Sequence, residues 1–244
     1  MSHRSVGELR GALSVAAGDG ALAWLDEVAA AGPAAVRSAF PAVGRRLGRG
    51  RLDGRDAGRD PQAWLIEDAR RAVLLASLGD GALAELEGLY DFGTAAERRG
   101  VLHGLDVIWP PDAVGLPLVE DALRTNDAGV IAAALGHYAV SRLGDQALAH
   151  AVLKCVFTGI PVDRIDGLAR RATPELAQML ATYALERVVA GRDVPADIWP
   201  LIELHPPDST LDAIRSELDS PHVDRRLAAE TALVAHHAHG RRSE

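Results

Sequence analysis

Apolar side chains recur along most of this chain at helical spacing, and the runs are separated by residues that start or stop helices. Ser5-Val-Gly-Glu8 has the form of a capping box, in which a Ser oxygen and a Glu carboxylate satisfy the free amides of a first turn. It predicts a helix over Val6 to Ala17. Leu22, Leu25 and Val28, at i, i+3 and i+6, predict a second helix over Asp19 to Ala31, closed by Gly32-Pro33. A third runs from Pro33 to Gly44, and Pro41 should bend or end it because proline supplies no amide.

Periodicity disappears over Arg45 to Asp60, RRLGRGRLDGRDAGRD, where Gly and Asp content indicates a loop. Six arginines against three aspartates leave it locally positive. It could clamp phosphate or anionic lipid, or serve as a solvated link between subdomains; no aromatic is interleaved for base stacking. Helical pattern resumes over Gln62 to Leu78 and then falls into pairs. Ala82 to Tyr90 pairs with Thr94 to Ile108, Leu116 to Arg124 with Asp127 to Leu143, and Ser209 to Leu218 with Pro221 to His239, each across a short polar turn. The fold class is all-α, with antiparallel helix pairs stacked as an irregular α-α (HEAT-like) superhelix or a compact bundle. No fixed repeat length emerges from the spacing. The layout is one helical domain over 1–244, with N-terminal helices to about 44, the loop at 45–60, a core over 61–203 and an added helical pair over 207–244.

Composition narrows this picture. Hydrophobic residues make up 48% of the 244 but aromatics only 4%, so the core must be filled by Ala, Leu and Val, which suits closely packed helices. Net charge is −8, which argues against a whole-surface nucleic-acid binder because phosphates need a positive field. Glu8 and Arg10 interrupt any signal-peptide core at the start, and no run reaches the ~18 apolar residues of a bilayer span. One cysteine forms no internal disulfide. A cytoplasmic protein without a transmembrane segment is expected.

The chain's only lysine, Lys154, and only cysteine, Cys155, sit together in a helix over Asp145 to Phe157; the other basic residues are 25 arginines. On a helical wheel Leu148, Ala151, Val152, Cys155 and Val156 share the apolar arc, while His150 and Lys154 lie on a narrow polar strip. That pair could bind an anion, or a desolvated lysine could act as a nucleophile; alternatively Lys154 faces solvent with its stem over Phe157. Cys155 reads as a small buried hydrophobe. After Gly159-Ile160-Pro161, Asp163, Arg164, Asp166, Arg170 and Arg171 alternate in sign. The arginines could hold a carboxylate or phosphate, or pair with Asp163, Asp166 and Glu175 to fasten the connector. Thr173 as N-cap, Pro174 at the first position and Gly191 at the stop frame the next helix. It is apolar nearly all round, so Arg187, on the face of Leu176, Leu180 and Tyr183, needs an acceptor, whether a carboxylate, a helix C-terminus or a ligand. Tyr183, Glu186 and Arg187 form its polar cluster.

This block resembles the EboA family in its VLK-x-x-F-x-G-x-P run from Val152, its GL-x-RRA-x-P-x-LA-x-ML-x-x-YA-x-ER run from Gly167 and its AGR-x-VP from Ala190. The likeness is close over Asn126 to Trp199 and looser over Pro41 to Leu47 and Trp64 to Leu78. The chain has Ala169 where the family often has Asp, Thr173 where it has Asn, and Leu185 where it has His, which weakens any site built on those residues. The resemblance implies a non-catalytic accessory or scaffold protein in processing and export of secondary metabolites. Its partners would be proteins of the same gene cluster, including a membrane prenyltransferase. The alternative is a binder or enzyme for an anionic or prenyl-phosphate molecule, in a cleft floored by Tyr183 and Arg187 and rimmed by Lys154, Arg170 and Arg171. Candidate ligand- or partner-binding residues are His150, Lys154, Arg164, Arg170, Arg171, Tyr183, Glu186 and Arg187, with no catalytic residue, metal or cofactor expected. Gly-rich phosphate loops, G-x-S-x-G and H-E-x-x-H are absent from the sequence. His236, His237 and His239 could ligate zinc or nickel, but a frayed, exposed terminus with no carboxylate partner is expected. His103 and Asp106 share a helical face with no nucleophile near in sequence.

Overall fold

A computed structural model of the chain describes residues 5–47, 50–53 and 63–240, the side chains of Asp19 and residues 237–240 excepted. Most of the arginine-rich loop, at 48–49 and 54–60, lies outside the described residues. The chain divides into two compact units, Met1–Arg142 and Leu143–Glu244. Among the described residues the fold is all-α, and the one β-type pairing is an isolated antiparallel bridge between Arg51 and Leu65.

The first unit begins with α1 (Val6–Ala17), whose capping box forms as the sequence predicts: Ser5 Oγ accepts from the Glu8 amide at 3.1 Å, and the Glu8 carboxylate accepts from the Ser5 amide at 2.8 Å. Next come α2 (Asp19–Ala30) and α3 (Pro33–Ala39). Pro41 then tightens the chain into a 3-10 turn over Phe40–Ala42 before α4 (Val43–Arg46). The helix expected from Gln62 starts later, as α5 (Ile66–Ala76), because the chain before it is extended: the Leu52 amide donates to Trp64 O at 2.9 Å and the Ile66 amide to Gly50 O at 2.7 Å. The unit continues through α6 (Ala82–Asp91), α7 (Ala95–Ile108), α8 (Asp112–Arg124), α9 (Ala128–Ala134) and α10 (His137–Arg142).

The single helix expected over Asp127 to Leu143 is therefore two. Asp106 of α7 reaches into the helix path and accepts the Tyr138 amide at 2.7 Å, taking a donor that an unbroken helix would give to Ala134 O. Gly136 makes room: a Cβ there would lie 2.5 to 2.9 Å from the Asp106 carboxylate. At the end of α7, Trp109 closes the helix in left-handed conformation, φ 53° and ψ 58°, which is uncommon for a bulky residue. Its ring meets Tyr138 edge-on at 5.4 Å and carries the Arg142 guanidinium 5.3 Å from its centre.

The first core gathers Leu9, Leu13, Leu25, Val36, Val43, Val73 and Leu74. Its closest crossing, α5 on α7, depends on two glycines one turn apart, Gly100 and Gly104. A Cβ at Gly104 would stand 2.9 Å from Leu75, and one at Gly100 would collide with the side chain of Arg71. Small residues on one helix thus admit large ones from the other, as a ring-poor composition requires.

The second unit holds α11 (Asp145–Thr158), a connector with a 3-10 turn at Leu168–Arg171, α12 (Pro174–Val189), α13 (Trp199–Glu203), α14 (Asp208–Ser216) and α15 (Val223–Gly240). Gly159 closes α11 at φ 72°, and Thr173 caps α12 by accepting from the Leu176 amide at 3.2 Å. The short α13 was not visible as a separate element in the pattern. α12 is central, packing on α11, α13, α14 and α15. α15 buries mainly alanines, Ala228, Ala229 and Ala232, while Val223, Leu227 and Val234 point to solvent.

Candidate functional site

In the second unit the residues singled out from sequence fall on two neighbouring helices and the connector before α12. On α11 His150 is exposed and Lys154 half-buried, on the side opposite the buried Leu148, Val152 and Cys155. The polar edge read from the wheel is present. Lys154 does not bury Phe157, a residue that is 64% exposed and whose ring meets Tyr183 of α12 edge-on at 5.0 Å. Burial pushes the Cys155 thiol up to about 12, with Lys154 opposing weakly, so it is a packed hydrophobe and no nucleophile at neutral pH.

Arg187 finds its acceptor in the backbone. Its Nε donates to Asp193 O at 2.9 Å, just past the helix end, while its own carbonyl accepts the Arg192 amide at 2.9 Å. The guanidinium therefore closes the C-terminal turn of α12. Arg171 is engaged as well, donating to Leu143 O and to the Asp145 carboxylate, both at 2.8 Å. Its partner is the first residue of α11 rather than the acidic residues of its own connector. Arg164, Arg170 and Glu186 are exposed. Tyr183 is brought against Phe157, while Arg171 and Arg187 are each turned to a structural contact of their own.

The strongest concentration of buried charge lies elsewhere, in the first unit. Glu67, Asp68, Arg70 and Arg71 open α5 and all four are buried, together with His103 and Asp106 of α7. Asp68 Oδ2 accepts from Arg99 at 2.5 Å, His103 Nε2 stands 3.9 Å away, and Arg71 lies 4.0 Å from Oδ1. Trp64 covers the His103 ring, centroids 4.2 Å apart. Burial raises the Asp68 carboxyl above its ordinary range against the pull of Arg99 and Arg71. Burial likewise lowers Arg71, with Asp68 the chief opposing influence. Arg71 also donates to Phe40 O at 3.2 Å and to Ala96 O at 3.1 Å, and its guanidinium lies over the Phe40 ring. One arginine thus ties the turn after α3, the start of α5 and the start of α7. This arrangement holds three segments in register.

Sequence reasoning passed over the α5 charges, although a signal was present. Glu67/Arg70 and Asp68/Arg71 are two i, i+3 pairs of opposite sign in a helix whose Val73, Leu74 and Leu75 leave no side for solvent.

The terminal histidines need a correction. His236 is buried, stacked near Trp199 with centroids 5.1 Å apart and paired with the Glu203 carboxylate. His236, expected on a frayed, exposed end with no carboxylate partner, is instead buried against α13 beside one. The His237 and His239 side chains lie outside the described residues. No group of three metal-ligating side chains converges among the described residues, and no helix there is long and apolar enough to cross a membrane.

No curated protein and no solved structure matches the chain. A family model described as metabolite traffic protein EboA matches residues 20–203, from the start of α2 to the end of α13. On that match, covering well over half of its length, the chain belongs to the EboA family.

Proposed function

We propose that this protein is a non-catalytic helical accessory component of metabolite traffic, a scaffold that works in the cytoplasm through partner proteins in the processing and export of a secondary metabolite. The partners would be products of the same gene cluster, among them a membrane prenyltransferase. The observation that carries the reading is the family match over 20–203, whose description names metabolite traffic. The side-chain geometry favours partners over a small-molecule cleft. Arg187 and Arg171, two of the four cations such a cleft would use, are bonded to Asp193 O, Leu143 O and Asp145, whereas Phe157, Val223, Leu227 and Val234 are turned outward. Affinity purification of the full chain, co-expressed with its gene neighbours, tests this. Stoichiometric recovery of one or more of them is expected; recovery of the chain alone would refute the scaffold reading. Arg187→Ala is expected to change stability only, and a selective loss of metabolite binding would favour the cleft.

A further inference from the structure

α15 turns its small side chains inward and large ones outward. Ala228, Ala229 and Ala232 are buried, whereas Val223, Leu227 and Val234 are 57%, 56% and 65% exposed, with the exposed Glu230 between the last two. At 100° per residue Val223, Leu227, Glu230 and Val234 fall within about 60° of one another, on the side opposite the alanines. Their spacing of four, three and four residues is that of a coiled-coil seam, in which side chains of one helix fill the holes of another. The alanine side already meets the packing of the second unit, so apolar residues at the three outward positions add little to the fold. α15 also follows the residues 20–203 that the family model matches, so the stripe is not part of what that match covers.

Going beyond the scaffold reading and independent of it, we infer that this stripe pairs α15 with α15 of a second copy of the chain, antiparallel about a two-fold axis at the level of Ala228 and Ala229. In that register Val223 faces Val234 of the other copy and Leu227 faces its Glu230, so all four seam positions of each helix are used. Glu230 decides the direction. A parallel pair would set Glu230 against Glu230 within the seam, whereas the antiparallel pair lays its stem on Leu227 and brings its carboxylate toward Arg226 on the flank. Arg226 gives one N–H to Ser220 O at 2.7 Å and has further donors in its fork. A single polar residue in such a seam costs stability and fixes register. The same carboxylate argues against a lipid surface as the occupant, because insertion of the stripe would bury it among acyl chains.

Sedimentation velocity of the full chain from low to high micromolar concentration tests the pairing. A seam of four positions is at the small end of specific interfaces, so a concentration-dependent dimer with a micromolar dissociation constant is expected. Leu227→Glu, at an exposed position, should weaken it about tenfold or more while far-UV circular dichroism stays unchanged. Direction and register are read by mixing Leu227→Cys chains with Glu230→Cys chains and oxidising them with copper phenanthroline. The mixed disulfide should form in excess over either like pair, because the register sets those two positions opposite each other. Cys155 is buried and stays out of the reaction. A chain that remains monomeric, a dimer that Leu227→Glu leaves intact, or like pairs that cross-link as readily as the mixed one overturns the inference. Binding of the monomer to vesicles of phosphatidylcholine and phosphatidylserine, lost in Leu227→Glu, overturns it too and assigns the stripe to lipid. None of these results touches the co-purification of gene neighbours, on which the scaffold reading stands.

Discussion

Removing the carboxylate of Asp106 tests the account of why α9 and α10 are separate helices. Asp106 is buried and accepts the buried Tyr138 amide at 2.7 Å. Asp106→Ala leaves that amide without its acceptor, at a cost of about 1–3 kcal/mol, and forfeits a hydrogen bond to a charged group worth about 1.5–3 kcal/mol, two overlapping quantities that place the loss near 3 kcal/mol. For a chain of this size that lowers the melting temperature by about 6–12 °C. Asp106→Asn, which keeps an acceptor but not the charge, should lose about half as much. Gly136→Ala supplies the companion measurement. Within an ordinary helix the change would gain about 1 kcal/mol, but a Cβ here stands 2.5 Å from the Asp106 carboxylate, and overpacking of that kind costs about 1–3 kcal/mol. The single variant should therefore be destabilised. In the double variant the new methyl has room, so the two losses should fall short of their sum by about 1 kcal/mol or more. Urea unfolding followed by circular dichroism and tryptophan emission measures the parent and all four variants. If Asp106→Ala stays within about 0.5 kcal/mol of the parent, or the double variant is additive, Asp106 does not set the break.

Further outcomes follow from other sites. Cys155, buried with its thiol raised to about 12, should resist a thiol-specific disulfide reagent at pH 8 and react at the rate of unfolding; prompt stoichiometric labelling of folded protein would contradict its placement. The Asp68 carboxyl is raised in the fold, so its contribution to stability is fully present below its unfolded value near ~4 and is lost as pH rises through the folded value. The stability difference between the parent and Asp68→Asn should accordingly shrink or change sign as pH rises from about 4, and a difference that grows with pH would reverse the assignment. Gly88→Ala in α6, with nothing within 4 Å of the new methyl, should stabilise by about 0.5–1 kcal/mol. Gly115→Ala in α8 should do the opposite, because its methyl would fall inside the Tyr138 ring; equal effects in urea titrations would discount packing as the cause.

Features fixed within a few residues were legible in the sequence. The Ser5/Glu8 box, the Thr173 cap, the bend at Pro41, the Gly159 stop and the split of α11 into an apolar and a polar side are each settled by a local pattern, and each has its place in the fold. What escaped was set by distant partners. The break before α10 comes from a carboxylate 32 positions earlier. The burial of Glu67, Asp68, Arg70 and Arg71 depends on the backbone at Phe40 and Ala96 and on Arg99, and the burial of His236 on Glu203 of another helix. Arg187 was placed correctly as a cation needing an acceptor. A single sequence could not choose between a ligand and the Asp193 carbonyl, because both satisfy the same guanidinium.

The four tryptophans are unevenly shared between the two units, and this gives the chain an optical division of its own. Trp24, Trp64 and Trp109 belong to the unit ending at Arg142, whereas Trp199 is alone in the unit that begins at Leu143. Trp199 is fully buried beside His236, so with the other three changed to Phe its emission becomes a private reporter on the α13–α15 end of the protein. Set beside circular dichroism, which reads both units, that emission then tells unfolding of one unit from unfolding of both, without a label or a cut in the chain.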